Sequence, residues 1–277
     1  IKDIFVYLNH NHVELVIEEA FLKILYTEEI LKKEYKTFST YRDLDSSFDL
    51  LISIGGDGTI LRAATLVRNS SVPILGINAG RLGFLATVQK DNIDSFLQFV
   101  IDKKYSISKR TLLSLDCSPE NEAINEINFA MNEITVSRKD TTSMITIETY
   151  LNDEFLNSYW ADGLIISTPT GSTGYSMSCG GPILTPDVKS LVITPIAPHN
   201  LNARPLVIPD NTEIKLRVTG REDQYLVSLD SRVTTVKNES ILIIKRNPFE
   251  INMVEIQQET FLKTLRNKLL WGEDKRN

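Results

Sequence analysis

One run limits what this chain can fold into more than any other: Leu50-Leu51-Ile52-Ser53-Ile54, followed directly by Gly55-Gly56-Asp57-Gly58-Thr59. Five mostly apolar residues without polar alternation predict a strand covered on both faces, as in a parallel α/β sheet. The apolar Ile60-Leu61-Arg62-Ala63-Ala64 behind the glycines predicts a helix start. A strand, a glycine turn and a helix N-terminus form an anion site. Glycines let a ligand approach the backbone, and the free N–H groups and positive dipole end of the helix favour phosphate oxygens. Asp57 is out of place in such a cradle. It needs a metal, a proton to accept or a structural duty, since Asp-Gly is an ordinary turn dipeptide and Asp57 or Thr59 an ordinary helix cap. The strand in front weighs toward function, because ligand sites of open α/β sheets lie at strand C-termini.

From the start of the chain, 4–8 (Ile-Phe-Val-Tyr-Leu) reads as a first buried strand, and Val13, Val16, Ile17, Ala20, Phe21, Ile24 and Leu25 follow at helical spacing. After the 50–54 strand come a helix over 59–67 and another strand over 72–78. That strand runs into a second glycine loop, Asn78-Ala79-Gly80-Arg81-Leu82-Gly83-Phe84, at the same sheet edge. Ile93, Phe96, Leu97, Val100 and Ile101 form a further amphipathic helix. This alternation predicts a doubly wound, Rossmann-like α/β N-terminal domain over residues 1–104. From Tyr105 the texture changes. Strand-like segments recur with short turns at 112–116, 128–136, 144–151, 164–167, 190–196, 206–208, 213–219, 225–229 and 241–245, which predicts a β-rich C-terminal domain over 105–250. Phe261, Leu262, Leu265 and Leu269 with Trp271 make a helical stripe, so the segment 251–277 is expected to return as a helix onto the first domain.

Composition removes several classes of function. The net charge is −6 with acidic and basic residues mixed along 277 positions, so neither nucleic acid nor a membrane surface is an expected partner. Cys117 and Cys179 have no second cysteine or histidine at metal-ligand spacing, which predicts a reducing cytoplasm and no zinc. No apolar run approaches the roughly 20 residues of a membrane span, and the opening residues do not read as a signal peptide. A soluble, cytoplasmic protein is expected.

The run from Asp162 through Thr168-Pro169-Thr170-Gly171-Ser172-Thr173-Gly174-Tyr175-Ser176-Met177-Ser178 to Gly180-Gly181-Pro182-Ile183 is the most unusual in the chain. It concentrates glycines and hydroxyls behind a buried strand, offering short donors for phosphate and ribose, and Tyr175 as an aromatic face. Turn-rich connections share this composition, but connections of about a dozen residues in compact domains usually have a function of their own. Asn132-Glu133 interrupts another strand-like run. An amide beside a carboxylate suits an adenine amine or ribose hydroxyls, and equally suits a half-exposed strand with one side chain in water. Asn125-Glu126 is a second such pair.

Together, Gly55-Gly56-Asp57-Gly58-Thr59, Asn132-Glu133 and the 168–175 run with Gly180-Gly181-Pro182-Ile183 resemble the bacterial NAD kinase family, over about residues 4–270. The resemblance implies transfer of the γ-phosphoryl of ATP to the 2′-hydroxyl of the adenosine ribose of NAD, giving NADP. It implies Asp57 as general base, Gly58 against the ligand, and Asn132 and Glu133 on the adenosine. Asp162 would take the nicotinamide end, and Thr170, Thr173, Gly174, Tyr175 and Ser178 would line the adenine and ribose pocket. Arg62 and Phe84 match family positions near the ligand. The resemblance further implies a homodimer or homotetramer. Three positions depart from the family pattern: Gly174 stands where alanine is frequent, Trp160 where some members carry a basic contact, and Ser231-Arg232 follows Leu229-Asp230 where a glutamine can reach the ligand. Arg232 would replace that contact or face solvent.

A free aspartate, with a pKa of about 3.9, cannot ionise a ribose hydroxyl in the ground state. It can orient the hydroxyl and take its proton late in a loose phosphoryl-transfer transition state. The chain has no Gly-x-x-x-x-Gly-Lys-Ser/Thr run, so a divalent cation (Mg or Mn) is expected to come with ATP, with no protein metal ligands. Two other readings fit parts of the pattern. A lipid kinase shares the first glycine turn but needs a different loop at 78–84 and a membrane-facing surface, and a sensor would bind NAD(P) without chemistry.

Overall fold

The computed structural model describes residues 1–80, 82–88, 93–140, 143–256 and 260–271. The chain divides into two compact units, Ile1–Ser108 with Asn252–Asn277, and Lys109–Ile251.

The start of the first unit departs from expectation. Residues 4–8 lie in a helix, α1 (Lys2–His10), and not in a strand. Ile4, Phe5 and Leu8 are buried while Val6 is 61% exposed, which is the spacing of a helix face. A five-residue apolar run fits both periods, and the partners decide: Ile4 and Leu8 share a core with Phe96 and Leu97, and Phe5 packs with Leu22 and Leu25. Next come β1 (Val16–Glu18), α2 (Glu19–Thr27) and β2 (Lys36–Phe38), with β1 and β2 parallel.

The 50–54 run becomes β3 (Leu51–Gly55), parallel to β4 (Ile74–Asn78), with Gly55 opposite Asn78 at their C-terminal ends. Between them α3 (Asp57–Val67) buries Ile60, Ala63, Ala64 and Val67. This stripe of apolar residues three and four apart packs the helix on both strands. α4 (Ile93–Ile101) follows, and β5 (Ser106–Arg110) closes a sheet in the order β3, β4, the strand at Ile251–Glu255, β5. Both glycine loops therefore leave the same edge of one parallel pair.

The second unit holds β6 (Leu113–Ser118), α5 (Glu122–Glu126), β7 (Phe129–Ala130), β8 (Glu133–Ser137), β9 (Ile145–Leu151), β10 (Glu154–Ala161), β11 (Gly163–Ser167), α6 (Tyr175–Ser178), β12 (Ser190–Ile196), β13 (Leu206–Pro209), β14 (Ile214–Thr219), β15 (Gln224–Leu229), β16 (Arg232–Lys237) and β17 (Ile241–Arg246). They form two six-stranded sheets, β10-β9-β14-β17-β6-β7 and β13-β12-β11-β8-β15-β16. Alternate side chains of both sheets, among them Leu115, Ile147 and Leu216 from one and Ile134, Leu164 and Val227 from the other, share one buried cluster. The strand expected over 128–136 is two strands. β7 belongs to one sheet and β8 to the other, so Met131 and Asn132 lie at the crossing.

Of the second unit's strands, the sequence pattern does not show β10 and β16, and both are sheet edges; in the first unit it does not show β1, β2, β5 or the strand at Ile251–Glu255. A mixed exposed set, Glu154, Phe155, Ser158 and Trp160, and a register shift between Phe155 and Asn157 break the alternation in β10. The chain ends with β18 (Ile251–Glu255) and α7 (Phe261–Leu269), which belong to the first unit. Among the described residues no helix is long and apolar enough to cross a membrane.

Candidate active site

In the first unit β3 stops at Gly55 and α3 begins at Asp57, with Gly56 as an N-cap that offers no side-chain acceptor. Nothing lies within 4 Å of where a Cβ would stand on Gly56 or Gly58, so the backbone at the helix start has open space on that side. This is the arrangement in which helix N–H groups donate to an anion.

Asp57 points to the second glycine loop. Its Oδ2 accepts the backbone N–H of Phe84 at 2.8 Å, and its Oδ1 accepts those of Leu85 at 2.9 Å and Ala86 at 3.0 Å. A Cβ on Gly83 would stand 1.9 Å from Oδ1, so glycine is what lets the loop close around the carboxylate. An ionised carboxylate has about four lone-pair positions. Three are used here, and the one left is on Oδ2. Phe84 itself packs its ring against Phe261, with centroids 6.3 Å apart. Lys268 of α7 lies 5.0 Å from the centre of the Phe84 ring and donates to the Leu82 carbonyl at 2.8 Å. Arg62, exposed on α3, pairs with Glu18.

In the second unit, β8 and β11 bring Glu133 opposite Ser167. The turn after β11 is tied to the segment before β8: the Thr168 N–H donates to the Asn132 carbonyl at 2.9 Å and the Thr168 hydroxyl to the Met131 carbonyl at 2.6 Å. Its hydroxyls divide by duty. Ser172 bonds Pro169 and Leu184, and Ser176 bonds Thr194; both are fully buried. Of the residues expected to line a pocket, Thr170 is buried, Thr173 donates to the Thr170 carbonyl at 3.2 Å, and Tyr175 and Ser178 are exposed. At Gly174 a Cβ would stand 3.0 Å from Glu133 Oε2, so an alanine there presses on a carboxylate that has to give slightly.

Glu133 Oε2 and Asn132 Oδ1 are buried without a hydrogen-bond partner. Burial, and then the nearby Asp230 carboxylate, push the Glu133 carboxyl up to about 7, with the Tyr175 backbone N–H pulling the other way. Burial first, and then Cys179, Asp162 and Glu133, raise the Tyr175 phenol. Asn132, Glu133, Gly174, Tyr175 and Asp162 are thus neighbours. Asp162 is not a free anion: Arg138, which the sequence did not single out, pairs with it at 3.0 Å. Trp160 is half exposed and packs at a tilt against His199, with ring centroids 4.4 Å apart. Arg232 does not simply face solvent. Its guanidinium bonds the Ile127 carbonyl at 2.8 Å and the Phe129 carbonyl, anchoring the entry to β7.

Two family models match the chain: the ATP-NAD kinase N-terminal domain over residues 4–105 and the ATP-NAD kinase C-terminal domain over residues 131–256. An NAD kinase of Flavobacterium johnsoniae is 76% identical over 277 residues, covering 100% of this chain and 94% of the relative. An NAD kinase of Bacteroides fragilis is 41% identical over 273 residues, covering 99% and 93%. Among solved structures, yeast NADH kinase complexed with NADH superposes with a TM-score of 0.87 at 23% identity, over 99% of this chain and 84% of the other, a likeness of fold. An NAD kinase from Archaeoglobus fulgidus in complex with ATP gives a TM-score of 0.69 at 25% identity, over 92% and 96%.

Proposed function

The chain belongs to the NAD kinase family, and on that premise we propose how its residues carry the transfer of a phosphoryl group from ATP to NAD. The acceptor is the 2′-hydroxyl of the adenosine ribose. Asp57 receives its proton, Asn132 and Glu133 hold the adenosine, Gly174 and Tyr175 with Thr170, Thr173 and Ser178 complete its pocket, and Asp162 serves the nicotinamide end. Gly58, Arg62 and Phe84 belong to the ligand's surroundings.

The observation that carries this reading is the pair of buried acceptors without partners, Asn132 Oδ1 and Glu133 Oε2. Buried acceptors are costly to leave unmatched, and an adenosine brings O–H and N–H donors to match them. For Asp57, the support is the lone pair left on Oδ2 once its three N–H donors are counted. A carboxylate so fixed cannot swing away, which suits a group that orients a hydroxyl and takes its proton late. The uncapped start of α3 supports phosphate binding there.

Among the described residues no three His, Cys, Asp or Glu side chains gather as a metal cage. A divalent cation carried by the ATP phosphates would neutralise charge that develops on the transferred group. Half-exposed Trp160 and exposed Phe155 and Leu201 on the β-rich unit support a homodimer or homotetramer, which light scattering would measure. Free Cys117 and Cys179 support a cytoplasmic setting.

Glu133 adds a pH dependence. Its proton is held in the folded protein up to about 7 against an ordinary 4.5. Folded stability therefore falls as pH rises from 4.5 toward 7, by up to roughly 3 kcal/mol at ~1.4 kcal/mol per tenfold change in acidity. A ligand donor facing the carboxylate reverses the preference, since it favours the ionised form. NAD affinity is expected to weaken about tenfold between pH 8 and pH 6, and Glu133→Gln to flatten that profile. A titration of Kd against pH that is flat in the unmutated protein contradicts the role given to Glu133.

The reading as a whole is tested by NADP formation across NAD and NADH, and ATP and polyphosphate, with and without chelator. Product is expected from NAD and ATP, lost with excess chelator and restored by Mg or Mn. Binding of NAD with no NADP formed is what the sensor alternative requires.

A further inference from the structure

Strands β15 and β16 pair through Leu229 and Arg232, leaving Asp230-Ser231 as a two-residue turn. Asp230 has φ +53, a left-handed conformation that short polar residues tolerate in such hairpins. In an ordinary turn of this kind the aspartate faces water. Here its side chain is 5% exposed. Its carboxylate accepts three consecutive backbone N–H groups, Met131 at 3.0 Å, Asn132 at 2.7 Å and Glu133 at 3.2 Å. In return the Asp230 N–H donates to the Glu133 carbonyl at 2.9 Å. Converging N–H groups make a nest for an anion, and this one is filled from within the chain.

The place is significant because Met131 and Asn132 lie where β7 and β8 part into different sheets and Glu133 is the first residue of β8, so ladder pairing does not fix the backbone that leads into Glu133. Asn132 and Glu133 carry buried acceptors, Oδ1 and Oε2, that lack partners. Arg232, from the same hairpin, holds the carbonyls of Ile127 and Phe129 just upstream. The groups facing Glu133 are Asp230 and Tyr175, with Arg232 3.9 Å behind the Asp230 carboxylate.

We infer that Asp230 is a positioning residue for the acceptor substrate: seated in the N–H groups of residues 131–133, it fixes the direction of the Asn132 and Glu133 side chains and so sets the affinity for NAD. The inference rests on the reading of Asn132 and Glu133 as NAD-binding groups. Asp230→Asn tests it, because asparagine keeps the left-handed turn but turns an NH₂ on at least one of the three N–H donors. The KM for NAD is expected to rise roughly 10–100-fold, with kcat at saturating NAD and the KM for ATP within about threefold of the unmutated protein. Removing the anion beside Glu133 is also expected to move the midpoint of the pH profile for NAD binding to lower pH. Asp230→Glu, which keeps the charge but displaces it by one methylene, should recover part of the affinity, and it replaces Asp230→Asn if that variant does not fold. An unchanged KM for NAD, or a parallel rise for both substrates with the pH midpoint in place, overturns the inference. Glu133→Gln measured alongside separates the two levels. An unchanged KM for NAD there removes the premise, whereas a raised one beside an unaffected Asp230→Asn removes only the role of Asp230.

Discussion

Asp57→Asn is expected to lower turnover of NAD by 10²–10⁴-fold, the range for losing a positioned proton acceptor. The variant is not a silent replacement elsewhere. Asp57 accepts N–H groups from Phe84, Leu85 and Ala86, and an asparagine has one oxygen for them. With that oxygen on Leu85 and Ala86, its NH₂ faces the Phe84 N–H across a distance that is now 2.8 Å. Donor against donor leaves a backbone group unmatched, a cost of roughly 1–3 kcal/mol, so the loop at 83–86 should loosen and thermal stability should fall. Amide exchange at Leu85 and Ala86 reports the loop, and NAD binding measured on the same sample reports the acceptor site. Turnover close to that of the unmutated chain, with NAD bound, would falsify the base assignment and leave Asp57 as a loop clasp.

Gly171→Ala is the second change expected to have a large effect. A Cβ at Gly171 would stand 2.0 Å from the Asn132 carbonyl oxygen and 2.4 Å from its carbon. Both neighbours are backbone, and Asn132 is held by the Thr168 N–H on one side and by Asp230 on the other. Neither can move away without breaking these bonds. The 168–175 turn therefore has to lift off Asn132, and NAD affinity is expected to fall by more than about 100-fold, the equivalent of two or more lost polar contacts. Gly56→Ala is the matching control for packing. Nothing lies within 4 Å of its Cβ position and its backbone is extended, so its melting temperature should stay near that of the unmutated chain even if activity falls. Calorimetry with an NAD titration on both variants checks the contrast.

What the sequence made legible was local. The unalternated run at 50–54 and the helix behind it announced β3 and α3, because a doubly covered strand and a 3.6-residue period are written in neighbouring residues. The hydroxyl-rich run announced itself by composition. The opening run at 4–8 misled, since five apolar residues serve a strand or a helix face alike and only distant partners such as Phe96 decide. Strands β10 and β16 are hidden by being edges whose outer residues mix polar and apolar side chains, so the apolar alternation of a half-buried strand is broken.

The site divides in the same way. Asp57 and Glu133 stood out as acids in unusual settings, but what holds each of them is remote. The N–H donors of Asp57 come from 27 to 29 residues away, and Asp230 reaches back 97 to 99 residues to the segment carrying Glu133. Around Arg232 the sequence fits a ligand contact or a solvated charge, because nothing in its own stretch predicts two carbonyls more than 100 residues upstream. Asp230 sits in a turn dipeptide of the most ordinary kind. Only the crossing of β7 and β8 between sheets makes its inward rotamer meaningful.

Phosphorus NMR of the product formed from NAD and ATP, followed with the unmutated chain and with Asp57→Asn at saturating NAD, puts the central claim to its most direct trial. The account predicts a phosphomonoester on the 2′-oxygen of the adenosine ribose, growing in step with ADP and slowed by at least about 10²-fold in the variant. Equal rates in the two proteins, or phosphate on the nicotinamide ribose, would contradict it.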